Sequence, residues 1–447
     1  MGVKRSTLGA IWHGAWAGQI LVRNGGSPLT LKVRANTSAV RVRRKTSPAP
    51  AVSPPVPSPS YTKRQATTRV NTRNFIYTSA GRTRHEARIR HTVAANQGAG
   101  SSFVLRYAGF SFQAVSAGDL ASTYDKTITG CAIEYPPGQI NRVTFNSGSN
   151  SVVVPGGLTF VDSDPVLNSV TGLPLQVPAN AVCYEQVSYT RADGGSGWDA
   201  PQEVWPSLGE FSVYGTGADN SQTPIASNPN AGVNTGQAWG AAMILADSSL
   251  GSVTSVAIVG DSIATGSGGD NTTVQVENAG YVARGLGNAL GWMRITCPQA
   301  TLSAALNASA NRSLIANSRV THAIVEMGIN DVFGGANVSV IQSRLLQVWI
   351  TLYNAGLKVI QCTLPPATDT SDAWATSANQ SPRTYEANRV AVNEWIRTKP
   401  WPLSYVFEAA DRIEVNAAGV PTRNGGRWSV AYGVPTPDGT HPSPAAS

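Results

Sequence analysis

The sequence has no Cys-x-x-Cys pair. Its four cysteines, Cys131, Cys183, Cys297 and Cys362, are scattered, and its five histidines are dispersed as well. That spacing argues against a zinc site, and no metal or other cofactor is expected. Charged residues are sparse at 13%, beside 41% hydrophobic residues and 44 glycines, which fits a loop-rich globular protein. No apolar run approaches the roughly 18 residues of a membrane-spanning helix. Lys4 and Arg5 precede a short apolar stretch, but His13 and Gln19 interrupt it and no small-residue cleavage site follows. A signal peptide is therefore poorly written. Localisation stays open, with a secreted or virion-associated protein the favoured reading.

Acidic residues are nearly missing from one end. Residues 1–96 hold 17 lysines and arginines against one acid, Glu86, whereas the remainder holds 17 against 25. The net charge of +8 thus hides two parts of opposite sign. The basic part reads as a solvated, partly disordered arm, with contact to a polyanion as the functional alternative. No recognisable nucleic-acid module accompanies the charge. The mildly acidic remainder argues against a phosphate-rich substrate.

Four segments follow from composition. Residues 1–45 contain short β-like pieces (19–23 and 29–34) and end in a basic run, Arg41 to Lys45. Residues 46–60 are proline-rich, which fixes φ, removes donors and makes an extended linker. Residues 61–250 alternate short strands rich in β-branched and aromatic residues with Gly, Pro, Asn and Asp turns, predicting an all-β sandwich or jelly roll. Residues 216–238 within it form a long polar loop. From 251 to 447 strands alternate with helices, the pattern of a parallel sheet covered on both faces. Helices are expected over 279–291, 302–317 and 385–397. In another, Val338, Ile341, Leu345, Val348 and Leu352 mark one apolar face that stops at Gly356.

The chemistry-bearing residues follow buried strands. Val256 to Val259 form a continuous apolar run that ends in Gly260-Asp261-Ser262, delivering a hydroxyl to the carboxyl edge of the sheet. A third strand ends in Gly328-Ile329-Asn330-Asp331, where an Asn carboxamide can donate to an oxyanion. Near the end, Asp438 precedes His441 by three residues, close enough to hold one imidazole nitrogen while the other takes a proton. Each stretch alone is also an ordinary polar turn. Trp374 and Trp428 are candidates to line a substrate site, although packing in the core is the commoner fate of tryptophan.

In this order the three stretches resemble the SGNH hydrolases, the GDSL-type esterases and lipases, over residues 255–444. The resemblance implies a flavodoxin-like three-layer α/β/α domain. Ser262 is then the nucleophile, His441 the general base, Asp438 its orienting partner, and Asn330 with the Ser262 N–H oxyanion donors. Two departures stand out. The family usually places a glycine after the second strand; here Cys297-Pro298-Gln299-Ala300 stands instead, leaving Gln299 or Ala300 to supply that N–H. The chain also ends six residues after His441, where the family continues into a helix, which suggests a fragment or a trimmed edge. The family's strand order argues against a Cys297–Cys362 disulfide, whereas Cys131–Cys183 within the sandwich is feasible. The expected activity is that of a serine esterase acting on a small acyl ester, with an O-acetylated glycan suggested by analogy through the β-sandwich. The rival is a structural or adhesive virion or cell-surface protein carrying a vestigial hydrolase fold.

Overall fold

The computed structural model describes residues 19–24, 27–32, 63–73, 76–78, 83–114, 117–191, 197–215, 233–234, 236–267, 279–317, 319–431 and 433–444. The chain divides into two units, residues 1–56 and residues 57–447. In the first, Gln19–Asn24 and Ser27–Lys32 pair as an antiparallel hairpin. The expected proline-rich linker and most of the polar loop at 216–238 lie outside the described residues.

The second unit holds two large antiparallel sheets and one parallel sheet. The seven-stranded antiparallel sheet is centred on Lys126–Glu134, Val182–Thr190 and Arg84–Thr92. The five-stranded one is centred on Ala99–Ala108 and Met243–Ser248. Buried side chains connect them: the Tyr107 hydroxyl, on the five-stranded sheet, donates to Glu185 Oε1 on the other at 2.8 Å. Cys131 sits opposite Val187 rather than Cys183, and all four cysteines are free thiols. The Cys131–Cys183 pairing is therefore ruled out by register.

The basic reading of residues 1–96 needs correction where the structure describes them. Residues 63–73, 76–78 and 83–96 lie in strands and turns of the second unit rather than in a free arm, and several of their cations are matched by acids from elsewhere in the chain. Lys63 pairs with Asp247, Arg69 with Glu210, Arg73 with Glu203 and Arg88 with Glu134. Among the described residues, part of the charge asymmetry along the sequence is thus cancelled in space.

The parallel sheet is built from β1 (Val70–Asn71), β2 (Ser255–Gly260), β3 (Gly291–Thr296), β4 (His322–Glu326), β5 (Lys358–Cys362) and β6 (Leu403–Phe407), in the order β6-β5-β4-β2-β3-β1. Every residue of β2 and β3 is buried, as the continuous apolar run of β2 demands; in β3 the burial extends to Arg294. The helices are α1 (Ser262–Thr265), α2 (Tyr281–Leu286), α3 (Leu302–Asn307), α4 (Ser309–Ile315), α5 (Ile329–Phe333), α6 (Val338–Asn354), α7 (Glu386–Arg397) and α8 (Ala410–Ile413). On α6 the predicted stripe is realised. Ile341, Leu345, Val348, Trp349 and Leu352 are buried, a gross contribution of roughly 10 kcal/mol at about 2 kcal/mol per side chain. Trp349 stacks on Trp395 of α7 and donates to Gln361 Oε1 at 2.9 Å. The helix expected over 302–317 breaks at Ala308 into α3 and α4, and the one over 279–291 is confined to α2.

β1 overturns the expected division at residue 250. A strand assigned by sequence to the β-sandwich instead forms the edge of the parallel sheet, beside β3. Further ties cross the same line. Gln65 N–H donates to Arg319 O at 2.9 Å, and Trp292 N–H to Thr67 O at 3.0 Å. Asp119 accepts from the N–H groups of Ala310 and Asn311 at the start of α4. A Cβ at Gly118 would lie 2.6 Å from the Asn307 backbone, so only glycine permits this approach. One hydrophobic core runs through both parts.

Candidate active site

Asp261, Ser262, Gln299 and Asn330 all lie just past the carboxyl ends of parallel strands, where α/β sheets expose their loops. After β2 the chain turns at once into α1. Asp261 caps it, its Oδ1 accepting from Ile263 N–H at 3.0 Å. Ser262 therefore occupies the first turn, with its own N–H unpaired among the described residues and its side chain at the surface of a buried turn.

His441 reaches this serine from 179 residues away. Its Nε2 lies 2.8 Å from Ser262 Oγ, and its Nδ1 lies 2.6 Å from Asp438 Oδ2. A carboxylate only accepts, so Nδ1–H donates to Asp438 and the serine hydroxyl donates to Nε2. Burial pulls the Asp438 carboxyl upward. Hydrogen bonds from the His441 N–H, its imidazole and the Thr440 N–H outweigh that and hold it below the usual carboxylate range.

The loop carrying these two residues is tightly held. Gly439 adopts φ +83° between them, and a Cβ there would lie 1.9 Å from the Thr368 carbonyl. Its carbonyl accepts from Trp428 Nε1 and Thr368 N, both at 2.9 Å. Arg383 donates to the Asp438 carbonyl at 2.8 Å and to Thr440 Oγ1 at 2.6 Å. Trp428 is fully buried, so of its two readings the structure shows packing and not a substrate surface. Trp374 is half-buried, donates to Thr368 Oγ1 at 2.9 Å and packs against Gly439. Both tryptophans brace the histidine loop, and neither lines the cavity beside it. Arg383 and Thr368 carry no motif that sequence reading could have used.

The segment after β3 resolves the missing glycine. Gln299 has φ +65°, the left-handed conformation that glycine adopts without penalty. Its N–H has no partner among the described residues. Ala300, the other candidate, is corrected: its N–H donates to Cys297 O at 3.1 Å. Asn330 Nδ2 donates to the Ala300 carbonyl at 2.9 Å, leaving the second amide hydrogen over. Asp331 accepts from Leu302 N–H at 2.9 Å and from Arg344 at 2.8 Å, fastening the same loop to α5 and α6.

Beneath Ser262, Asp261 and Glu326 are both fully buried. Burial pushes Asp261 up to about 7 and Glu326 well above the usual carboxylate range, and the charge of Asp261 raises Glu326 further. A cavity of about 410 Å³ has walls that include Tyr281, Arg284, Phe407, Glu408, Arg412 and Pro442, the residue after His441; Ser262, Asp438 and His441 themselves do not line it. Among the described residues no cluster of His, Cys, Asp and Glu is arranged to hold a metal ion.

No protein-family model matches the sequence, and no curated protein matches it. Solved structures do. A GDSL-like lipase from Bacteroides thetaiotaomicron is 16% identical, with 43% of this chain and 82% of that one covered and a TM-score of 0.30. AlinE4, an SGNH-hydrolase family esterase, is 17% identical over 35% of this chain and 77% of that one, with a TM-score of 0.26. The psychrotrophic esterase EstA from Pseudoalteromonas sp. is 15% identical over 35% and 77%, with a TM-score of 0.24. The likeness is to GDSL-type lipases and SGNH-family esterases.

Proposed function

We propose that the protein is a serine esterase of the SGNH type, with Ser262 as nucleophile, His441 as general base and Asp438 as its orienting partner. The observation that carries this is the continuous chain from Ser262 Oγ through the His441 imidazole to Asp438, with links of 2.8 and 2.6 Å. Ser262 Oγ attacks the ester carbonyl while Nε2 takes its proton, and Asp438 stabilises the imidazolium. The tetrahedral oxyanion is received by the N–H groups of Ser262 and Gln299 and by Asn330 Nδ2. One such donor is worth roughly 3–4 kcal/mol of barrier. The imidazolium then protonates the leaving alcohol, and water, activated by the same histidine, releases the acid and restores Ser262.

The cavity that ends at Pro442, with Tyr281 and Phe407 beside Arg284, Glu408 and Arg412, offers mixed apolar and polar walls for a small acyl ester arriving at Ser262, and O-acetylated glycans are the first natural class to try. Purified protein should release p-nitrophenol from p-nitrophenyl acetate and take a fluorophosphonate label at Ser262. A folded protein that takes no label, or a Ser262→Ala variant with unchanged turnover, would favour the structural or adhesive alternative.

A further inference from the structure

Two carboxyl groups lie directly under the nucleophile in a place where neither is solvated. Gly260 at the end of β2 pairs with Glu326 at the end of β4, and Asp261 N–H donates to the Glu326 carbonyl at 3.3 Å. The two side chains thus leave neighbouring strands at the same level, and both residues have no exposed surface. Asp261 Oδ2 and both carboxyl oxygens of Glu326 are buried without a hydrogen-bond partner at normal geometry, and neither residue makes an ion pair among the described residues. The titratable groups facing them are Tyr281 of α2, whose hydroxyl together with the Ala264 N–H favours the Glu326 carboxylate, Cys362 of β5 and Asp331 of α5, none of them a cation. Two ionised carboxylates so placed repel each other with no compensating charge.

We propose that Asp261 and Glu326 hold a proton between them through neutral pH and act as a positioning pair for the Ser262 turn. A protonated carboxyl of one bound to the carboxylate of the other satisfies oxygens that are otherwise orphaned. Asp261 Oδ1 remains free to receive Ile263 N–H, and that bond leaves the Ser262 N–H unpaired. Losing the shared proton adds a second negative charge beneath the point where an oxyanion forms. Turnover should then fall on the alkaline side.

The pair's protonation is independent of catalysis; only its kinetic consequence rests on the esterase reading. The intact protein is examined by infrared spectroscopy at pH 7, and kcat and KM for p-nitrophenyl acetate are followed against pH. The wild type should show a protonated carboxyl band that weakens or vanishes in Glu326→Gln and shifts in frequency in Asp261→Asn, where Glu326 keeps its proton without the Asp261 carboxylate to receive it. Glu326→Gln, which keeps a donor but cannot ionise, should lack the alkaline fall and lose less than about fivefold in kcat. Glu326→Ala should lose about tenfold or more in kcat with KM little changed. Should Glu326→Gln fail to fold, Asp261→Asn is read instead: Glu326 then ionises without the Asp261 charge beside it, and the alkaline fall should move to lower pH. Absence of the band in the wild type, or an unaltered pH profile in the variants, overturns the proposal. A band without any turnover or labelling of Ser262 upholds the shared proton and overturns the esterase reading.

Discussion

The hydrogen bond of 2.9 Å from Asn330 Nδ2 to the Ala300 carbonyl ties the loop after β3 to the turn after β4. Two segments that each contribute a donor are thereby held at one spacing. Such preorganisation lets donors stabilise a developing charge without reorganising during the reaction.

Gln299 tests this directly. Its contribution is a backbone N–H at positive φ, so Gln299→Gly should keep activity within about threefold and leave stability equal or slightly higher. Gln299→Pro can neither adopt that φ nor donate, and kcat should fall by about 10²-fold or more. Paired ester kinetics and thermal melts of the two variants check the contrast.

Asp438→Asn should preserve the fold but remove the acceptor that fixes the His441 tautomer. The expected loss in kcat is about 10⁴-fold, comparable with removal of a triad aspartate elsewhere. Unchanged labelling and turnover would show that the 2.6 Å contact has no part in catalysis.

Gly439→Ala places a Cβ against the Thr368 carbonyl at a backbone angle that disfavours it. The histidine loop should shift, lowering kcat by about 10²-fold, since misplacement of about 1 Å at a reacting group costs that much. Circular dichroism should show secondary structure intact.

Asp261 gives a pH prediction for stability. Its carboxyl is raised in the folded state to about 7, above the value near 3.9 of an unfolded chain. Between those values the folded protein binds more protons than the unfolded one, so this group makes stability fall as pH rises from about 4 to about 7 and no further above that. Asp261→Asn, which keeps an acceptor for Ile263 N–H, should therefore raise Tm relative to wild type at pH 8 and leave it nearly unchanged at pH 4. Equal shifts at both pH values would count against a buried, titrating Asp261.

Long, regular elements were readable before any coordinates. The apolar run 256–259, the stripe on α6 and the strands around 291–296, 322–326 and 358–362 fall where periodicity puts them. The meeting of Ser262, His441 and Asp438 was foreseeable only through the order of three short motifs. What stayed hidden has physical reasons. β1 is two residues long, too short to show any period, and its partner lies more than 200 residues away. The left-handed backbone at Gln299 has no sequence mark, because side-chain identity there opposes it. Trp428 is indistinguishable by composition from a tryptophan on a binding surface, and only packing around Gly439 decides its burial.

The edge position of β1 has a practical meaning for anyone dividing the polypeptide. Excising residues 251–447 would strip β3 of its outer neighbour and bare a row of unpaired amides and carbonyls, an invitation to self-association. The parallel sheet depends on residues 70–71 for a closed border, so a polypeptide cut to keep that border must start before them.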